Sequence, residues 1–379
     1  MHKRFSNVNF DFSEEQKALQ KQVQRFLLDR SALSVVRTIL DDDALYHSES
    51  VWREMLDLGW VGVAVPEEYG GVGLGYLELC VVAQEIGRSL APVPFSSTVY
   101  LFCETVLRCG DSALRESILP DVVTGAQVGT LAFAEGLGFP RPSQIKLRYE
   151  EGKLSGEKWP VPDAMIADSA VVLAADGNGE PCLCLVRLDQ DGVRRRPLDS
   201  VDPTRGQGLL VFEAVEATHL GPTGDAAWKL FRDVLNAAAV LFAFEQVGGA
   251  EACLQKSIEF ANERTAFGRS IGSFQAIKHK LADVYVSNQL ALSNAYYGAW
   301  ALASDAQELA LAASVARVSA IEAYERAASE NVQVHGGMGF TWEADCHLFL
   351  RRSRSLALAI GDIGMWKEQI TSEFEQKAA

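Results

Sequence analysis

Cysteine pairs at metal or redox spacing are missing from this 379-residue chain. Its seven cysteines form no Cys-x-x-Cys and no Cys/His cluster at zinc spacing, so nothing in the spacing reads as a metal site. Scattered free thiols point to a reducing compartment. Positive charge is also short: 35 Lys and Arg stand against 50 Asp and Glu, a net charge of -15. A chain this acidic with no basic stripe is a poor partner for a phosphate backbone, which excludes nucleic acid. Arg194-Arg195-Arg196 is the one basic triplet, and its place before Pro197 reads as a solvated loop. No apolar run reaches the roughly 18 residues of a membrane span. The opening Met1-His2-Lys3-Arg4-Phe5-Ser6-Asn7 has no apolar core of a signal peptide. Repeats and low-complexity tracts are absent. The expectation is a soluble, cytoplasmic protein with no metal and no membrane partner.

What is present is a globular composition, 48% hydrophobic and 22% charged, in a chain long enough for two or three structural units. Ser13 followed by Gln16 forms a capping-box pattern behind Asp11-Phe12, and Glu14 and Glu15 suit the positive end of a helix. Helical patterns then run through Ile39, over Val51 to Leu58, Leu77 to Leu90 and Ser96 to Leu107. After Gly125 the period changes. Val128 to Phe133, Gln144 to Tyr149, Ser169 to Ala174, Cys182 to Leu188 and Leu209 to Val215 are short apolar or alternating runs. Glu-Gly and Asp-Gly turns separate them, the signature of hairpins. Cys182 and Cys184 fall on one side of their strand. Past Gly224 the helical period returns, from Trp228 and Phe231 to the Ala-rich Glu308 to Gln333. The spacing predicts an α+β chain: an N-terminal all-α domain over 1–125, a small antiparallel β-barrel or sandwich over 126–220, and a C-terminal four-helix bundle over 221–379.

Three stretches stand out. Gly59 to Gly75 ends in Val-Pro-Glu-Glu-Tyr-Gly-Gly-Val-Gly-Leu. With no Lys-Ser/Thr after it, this reads as a compact turn and not as a phosphate loop. Glu263 to Gln275 reads Glu-Arg-Thr-Ala-Phe-Gly-Arg-Ser-Ile-Gly-Ser-Phe-Gln. Arg264 there can hold a pyrophosphate bidentately and Phe267 can cover a ring; an ordinary helix–turn–helix with a glycine cap fits the same letters. Gln333 to Glu343, Gln-Val-His-Gly-Gly-Met-Gly-Phe-Thr-Trp-Glu, reads equally as a helix end with a structural His335.

Together, in this order and spacing, the three stretches resemble the acyl-CoA dehydrogenase family of bacterial type, from Phe12 to about Asp362. The resemblance implies a tetramer, a dimer of dimers, in which FAD lies between the β domain and the bundle and reaches the neighbouring subunit. It implies α,β-desaturation of an acyl-CoA thioester in β-oxidation-like lipid metabolism, with a carboxylate as base and electrons leaving to an electron-transfer flavoprotein. Arg264, Phe267 and Gln275 match positions that hold a FAD bound mainly to the adjacent subunit. Gln333, Gly336 and Gly337 match the loop along its adenosine side.

The other half departs from the family pattern. Where the family has a Thr-Glu-Pro beside the flavin ring, this chain has Ala134-Glu135-Gly136. Pro160 and Pro162 take the places of further ring contacts, and proline has no N–H to donate, while a shift of one residue would let Trp159 still wall the ring. Ile360 stands where the catalytic Glu is expected, which leaves Asp362 and Glu245 as the nearest carboxylates. Asn236-Ala237-Ala238-Ala239 lacks the Glu and Arg of the alternative base position. The expected function is therefore an acyl-CoA dehydrogenase subunit, homomeric or heteromeric, with its base in doubt. A flavin-dependent monooxygenase or oxidase of the same fold, or a non-enzymatic scaffold subunit, are the alternatives.

Overall fold

The computed structural model describes residues 12–378. Asp11 and the opening Met1 to Asn7, read above for a leader, lie outside the described residues. The chain begins with α1 (Glu14–Arg30), α2 (Leu33–Asp41) and α3 (Glu49–Asp57). The Ser13 hydroxyl accepts from Gln16 N while Gln16 Oε1 accepts from Ser13 N, so the capping box closes as read. The glycine-rich segment forms a compact turn around Glu67–Tyr69 and leads to α4 (Tyr76–Ser89). Ser96–Cys103 winds as a π-helix and runs straight into α5 (Glu104–Cys109), followed by α6 (Ser112–Thr124). Within the π-helical turn, Ser97 donates to Asp163 at 2.6 Å and Thr98 to the Gly129 carbonyl at 3.2 Å, tying this helix to the sheet.

The strands are β1 (Gly129–Ala132), β2 (Arg148–Glu150), β3 (Lys153–Pro162), β4 (Ser169–Ala175), β5 (Pro181–Arg187), β6 (Val193–Leu198), β7 (Gln207–Glu216) and β8 (Thr218–Leu220). They form one sheet in the order β6-β7-β3-β2-β4-β5-β8, with β1 beside β4. Pairing is antiparallel except where β4 meets β1 and β2. β4 and β5 read as continuous apolar runs because both faces are covered. Val171 and Leu173 face the main core, while Ala170, Val172, Cys182 and Cys184 face a second core enclosed by the sheet.

Two strands depart from the sequence reading. Lys153–Pro162 is a full strand, although Gly156 and two prolines interrupt its pattern. The basic triplet is not a solvated loop but the body of β6. Arg195 turns inward and donates to the carbonyls of Ala167 and Leu188, both at 2.8 Å. Alternation along an edge strand puts one of three consecutive arginines on the opposite face from its neighbours.

Helices then return: α7 (Asp225–Glu263), the hairpin β9 (Thr265–Ala266) and β10 (Arg269–Ser270), α8 (Gln275–Ala303), α9 (Leu309–His335), α10 (Cys346–Leu358) and α11 (Ile363–Ala378). α7, α8 and α9 are the long members of the bundle, and the shorter α10 and α11 both pack on α9. α7 carries an 18-residue window of mean hydropathy 1.3, apolar enough for a membrane span, which corrects the absence read from the sequence. That window is 94% buried inside the protein, and its apolar character serves the bundle.

Glycine sets how α7 meets α4. A Cβ on Gly87 would lie 1.7 Å from the Glu245 carbonyl oxygen, and one on Gly248 would lie 1.8 Å from that of Gln84. The two backbones touch at a crossing only glycine permits. Beside it the loop between β6 and β7 is pinned from two sides. Arg205 pairs with Glu245 of α7 and donates to the Val93 carbonyl at 2.8 Å. Arg352 of α10 pairs with Asp202 and donates to Thr204 at 2.8 Å and to the Leu90 carbonyl at 3.3 Å. All four charged side chains are buried.

Removing one partner of a buried pair leaves an uncompensated charge in low dielectric, at a cost of about 3–5 kcal/mol. Asp202→Asn, which strands Arg352, is expected to lose that much. Urea denaturation measures it as a lowered midpoint with an unchanged slope; a midpoint equal to the parent's refutes the role given to the pair.

Candidate functional site

The first group of site residues sits where α7 ends. Arg264 caps the helix in extended conformation, its N–H donating to the Phe260 carbonyl at 2.8 Å. Its guanidinium makes no ion pair among the described residues. The two-residue strands β9 and β10 then close over Phe267 and Gly268, both at positive φ, 51° and 77°. Such a turn suits the twist of a short hairpin, but a bulky aromatic in the left-handed region is strained. The strained residue points away from the protein and is 95% exposed. Among the described aromatic residues only Phe274 pairs with its ring, edge-on at 6.2 Å, and Arg269 lies over that same Phe274 at 4.1 Å. Gln275 opens α8 and is exposed.

The second glycine-rich stretch lies at the same end of the bundle. His335 donates through Nδ1 to the Asn331 carbonyl at 2.8 Å and stacks on Phe260 at 4.1 Å. Ser257 donates to Asn331 at 3.0 Å, and Lys280 pairs with Glu330 at 2.8 Å. These contacts bring the end of α7, the start of α8 and the end of α9 together. Gln333, Gly336 and Gly337 are exposed there, and a Cβ on either glycine would meet nothing within 4 Å. Met338, Phe340 and Trp342 follow, also exposed.

The inner group is arranged differently. Ala134 and Trp159 bond to each other along the strand edge: Trp159 N donates to the Ala134 carbonyl at 2.9 Å, and Gly136 N to the Trp159 carbonyl at 2.8 Å. Beneath them the buried Lys158 ammonium donates to Glu135 at 2.6 Å and to the Phe133 carbonyl at 3.3 Å. Burial pulls the Lys158 ammonium down to about 8, against the upward pull of Glu135. Burial works to raise Glu135, yet Lys158 and the N–H groups of Leu147 and Lys146 hold it below the usual carboxylate range. The ground between β1 and α7 is occupied by rings. Phe133 lies 5.5 Å from Phe231 and 6.1 Å from Phe139, and Trp228 lies 5.3 Å from Phe231. A flavin ring needs room and aimed donors; Ala134, Pro160 and Pro162 supply no hydroxyl, and the N–H groups of Trp159 and Gly136 are engaged. The inner residues do not fit the ring, whereas the outer ones leave a guanidinium, an aromatic and bare glycine backbone facing outward.

Ile360 is fully buried in the main core. Asp362 is exposed and caps α11, its Oδ1 accepting from Met365 N at 2.8 Å. Glu245 is committed to Arg205. The sequence reading missed the ring cluster and the Arg232 beside it, which lies over Phe139 at 5.0 Å. Trp228 and Phe231 were legible as helix-spaced apolar residues, but Phe139 comes from a loop ninety residues earlier and had no local signal.

Profiles described as "Acyl-CoA dehydrogenase, N-terminal domain" and "Acyl-CoA dehydrogenase, C-terminal domain" match residues 13–126 and 227–373. Acyl-CoA dehydrogenase IpdE2 of Mycobacterium tuberculosis is 31% identical over 348 residues, covering 91% of this chain and 92% of that protein. Among solved structures, the ChsE4-ChsE5 complex from Mycobacterium tuberculosis is 25% identical with a TM-score of 0.87, covering 97% of this chain and 99% of that one. A variant of the Tcur3481-Tcur3483 steroid ACAD is 28% identical with a TM-score of 0.86, covering 96% and 99%.

The Gly336 backbone, at φ 59° and ψ -138°, is one that only glycine adopts without strain. Gly336→Ala is expected to cost about 1–3 kcal/mol, although the added methyl touches nothing. Hydrogen exchange at the end of α9 and thermal unfolding read this cost; an unchanged melting temperature together with unchanged protection refutes it.

Proposed function

The chain belongs to the acyl-CoA dehydrogenase family, and from that premise we propose that it is the base-lacking subunit of a heteromeric member. In this reading domain 221–379 lends its outward-facing end to a FAD whose ring sits in a partner subunit. Arg264 would grip the pyrophosphate with charge-assisted hydrogen bonds. Phe267 would lie against a ring, and Gln275, Gln333, Gly336 and Gly337 would line the adenosine side. When bound, FAD would supply a hydride acceptor for the acyl β-carbon, and an electron-transfer flavoprotein would take the electrons from the assembled complex. The partner would bring the carboxylate base and the ring pocket. No catalytic step is assigned to this chain's own inner residues.

The observation that carries the proposal is the contrast between the two groups. The outward-facing residues keep the family pattern, whereas Ile360, Ala239, Ala134, Pro160 and Pro162 depart from it, and Phe133, next to Ala134, packs against Phe139 and Phe231. Scattered loss would not be expected to spare one half. The similar ChsE4-ChsE5 complex and Tcur3481-Tcur3483 steroid ACAD, each named for two proteins, support an assembly of unlike subunits. An active homomer, with Asp362 as a displaced base, is the competing arrangement. It would have to take Asp362 from its capping bond.

Purified alone, the chain is expected to hold no flavin and to be nearly inert in acyl-CoA-dependent dye reduction, because loss of a general base costs ~10² to 10⁴ in rate. Combined with a base-bearing family member, it should give an active complex with fewer flavins than subunits. One flavin per chain and brisk turnover by the lone protein, abolished by Asp362→Asn, would sink the proposal in favour of the homomer.

In the complex, Arg264→Ala is expected to weaken FAD retention about tenfold to a hundredfold, the worth of a hydrogen bond to a charged group. Flavin release on dilution measures this; retention equal to the parent complex removes Arg264 from the site. Sedimentation offers an independent check, since a compact 41.3 kDa species at micromolar concentration in the presence of partner would contradict any assembly.

A further inference from the structure

One methionine is presented to solvent where the subunit proposal places the partner. The chain has five methionines, and Met1 lies outside the described residues. Met55 is fully buried. Met165 and Met365 are half-buried. The Met165 sulfur lies 3.7 Å from where a Cβ on Gly208 would stand, and the Met365 sulfur accepts from Arg232 Nη1 at 3.3 Å. Met338 alone of these four is exposed, at 52%, and its thioether makes no hydrogen bond among the described residues. Its backbone is fixed. Thr341 donates to the Met338 carbonyl through both N and Oγ1 at 3.0 Å. On the next residue a Cβ at Gly339 would lie 2.4 Å from the Val332 carbonyl oxygen, so the turn is pressed against α9. The sulfur is therefore displayed by a fixed turn, after the bare Gly336 and Gly337 and before the exposed Phe340 and Trp342.

We propose that Met338 is an oxidation site that governs assembly: its sulfoxide keeps the chain from its partner subunit until it is reduced. The inference rests on the subunit proposal for what covers the surface, and on exposure for the chemistry. The oxidant is hydrogen peroxide. The sulfur lone pair attacks one peroxide oxygen, the O–O bond breaks as the S–O bond forms, and the other oxygen leaves as water with both protons. Sulfur loses two electrons and peroxide gains them. The product puts a polar, chiral group where a flexible apolar thioether stood. Beneath a partner the new oxygen must give up its water, and the flanking glycines bring no side chain to pair with it. A polar group buried without a partner weakens association about fivefold to a hundredfold. The free chain is the form that reacts, because in the complex the partner covers the sulfur. The change is reversible, each sulfoxide epimer having its own reductase. Assembly thus protects the chain, and an unpaired chain is held out of use.

The test exposes the full chain to dilute hydrogen peroxide, alone and in complex with a base-bearing family member. Peptide masses report the oxygen gained at each methionine. In the lone chain Met338 is expected to react first, Met165 and Met365 more slowly and Met55 last. In the complex Met338 should be protected. Sedimentation then compares pairing. The oxidised chain should pair about fivefold to a hundredfold more weakly, and the two epimer-specific reductases together should restore it. Met338→Leu should keep its pairing through the same treatment, and Met338→Gln should pair weakly without treatment. Equal pairing of the oxidised and untreated parent overturns the inference and leaves the subunit proposal standing. So does a loss of pairing in Met338→Leu as large as in the parent, which places the damage elsewhere, or a Met338 that reacts no faster than Met55. An untreated chain that pairs with no family member brings down the subunit proposal, and this inference with it.

Discussion

The structure depends on a buried contact at which three regions of the chain meet. At Gly87 and Gly248 the backbones of α4 and α7 touch, and the carbonyl of Glu245 lies in that crossing. The side chain of the same Glu245 reaches Arg205 in the β6–β7 loop, and three residues along the loop Asp202 takes Arg352 from α10. N-terminal helices, sheet and bundle are therefore keyed to one another by charges that cannot be left unpaired. Both ends of α7 inherit their positions from this point. Its first turns hold Arg232 beside the ring cluster, and its last turn presents Arg264.

The two groups of site residues differ in how they are held. The outer group rests on aromatic and polar clamps, Phe260 on His335 and Ser257 on Asn331, which fix helix ends and leave backbone bare. The inner group is held by packing, with Phe133, Phe139, Phe231 and Trp228 taking up the ground beneath the strand edge. A site that is built to receive something keeps unsatisfied groups at its surface; a site that has been filled does not. By that measure Arg264 and the Gly336–Gly337 backbone belong to the first kind and Ala134 to the second.

Much of this was legible in the sequence, for reasons that can be named. The helices of both ends announced themselves through period and caps, Ser13 with Gln16 most plainly, and the three glycine-bearing stretches carried the family resemblance. β4 and β5 were read from their apolar runs. β3 was missed because its prolines and Gly156 break the alternation, and β6 because three arginines in a row look like solvated surface when one of them, Arg195, spends its donors on backbone carbonyls. Glu245 and Arg205, and Arg232 and Phe139, are pairings across long sequence separations. Residue types hint at them, but only tertiary structure says which charge finds a partner and which does not.

Phe267 carries a consequence for the cell that makes this protein. A ring at the tip of a strained hairpin, with Met338, Phe340 and Trp342 exposed on the adjoining stretch, is an adhesive surface whenever it is uncovered. On the proposal that a partner subunit covers that surface, synthesis in excess of the partner would feed aggregation and draw on chaperones and proteases. Selection would then act on dosage as much as on sequence, favouring matched production of this chain and its cover, and a polar substitution at Phe267 would be tolerated only where that matching had lapsed.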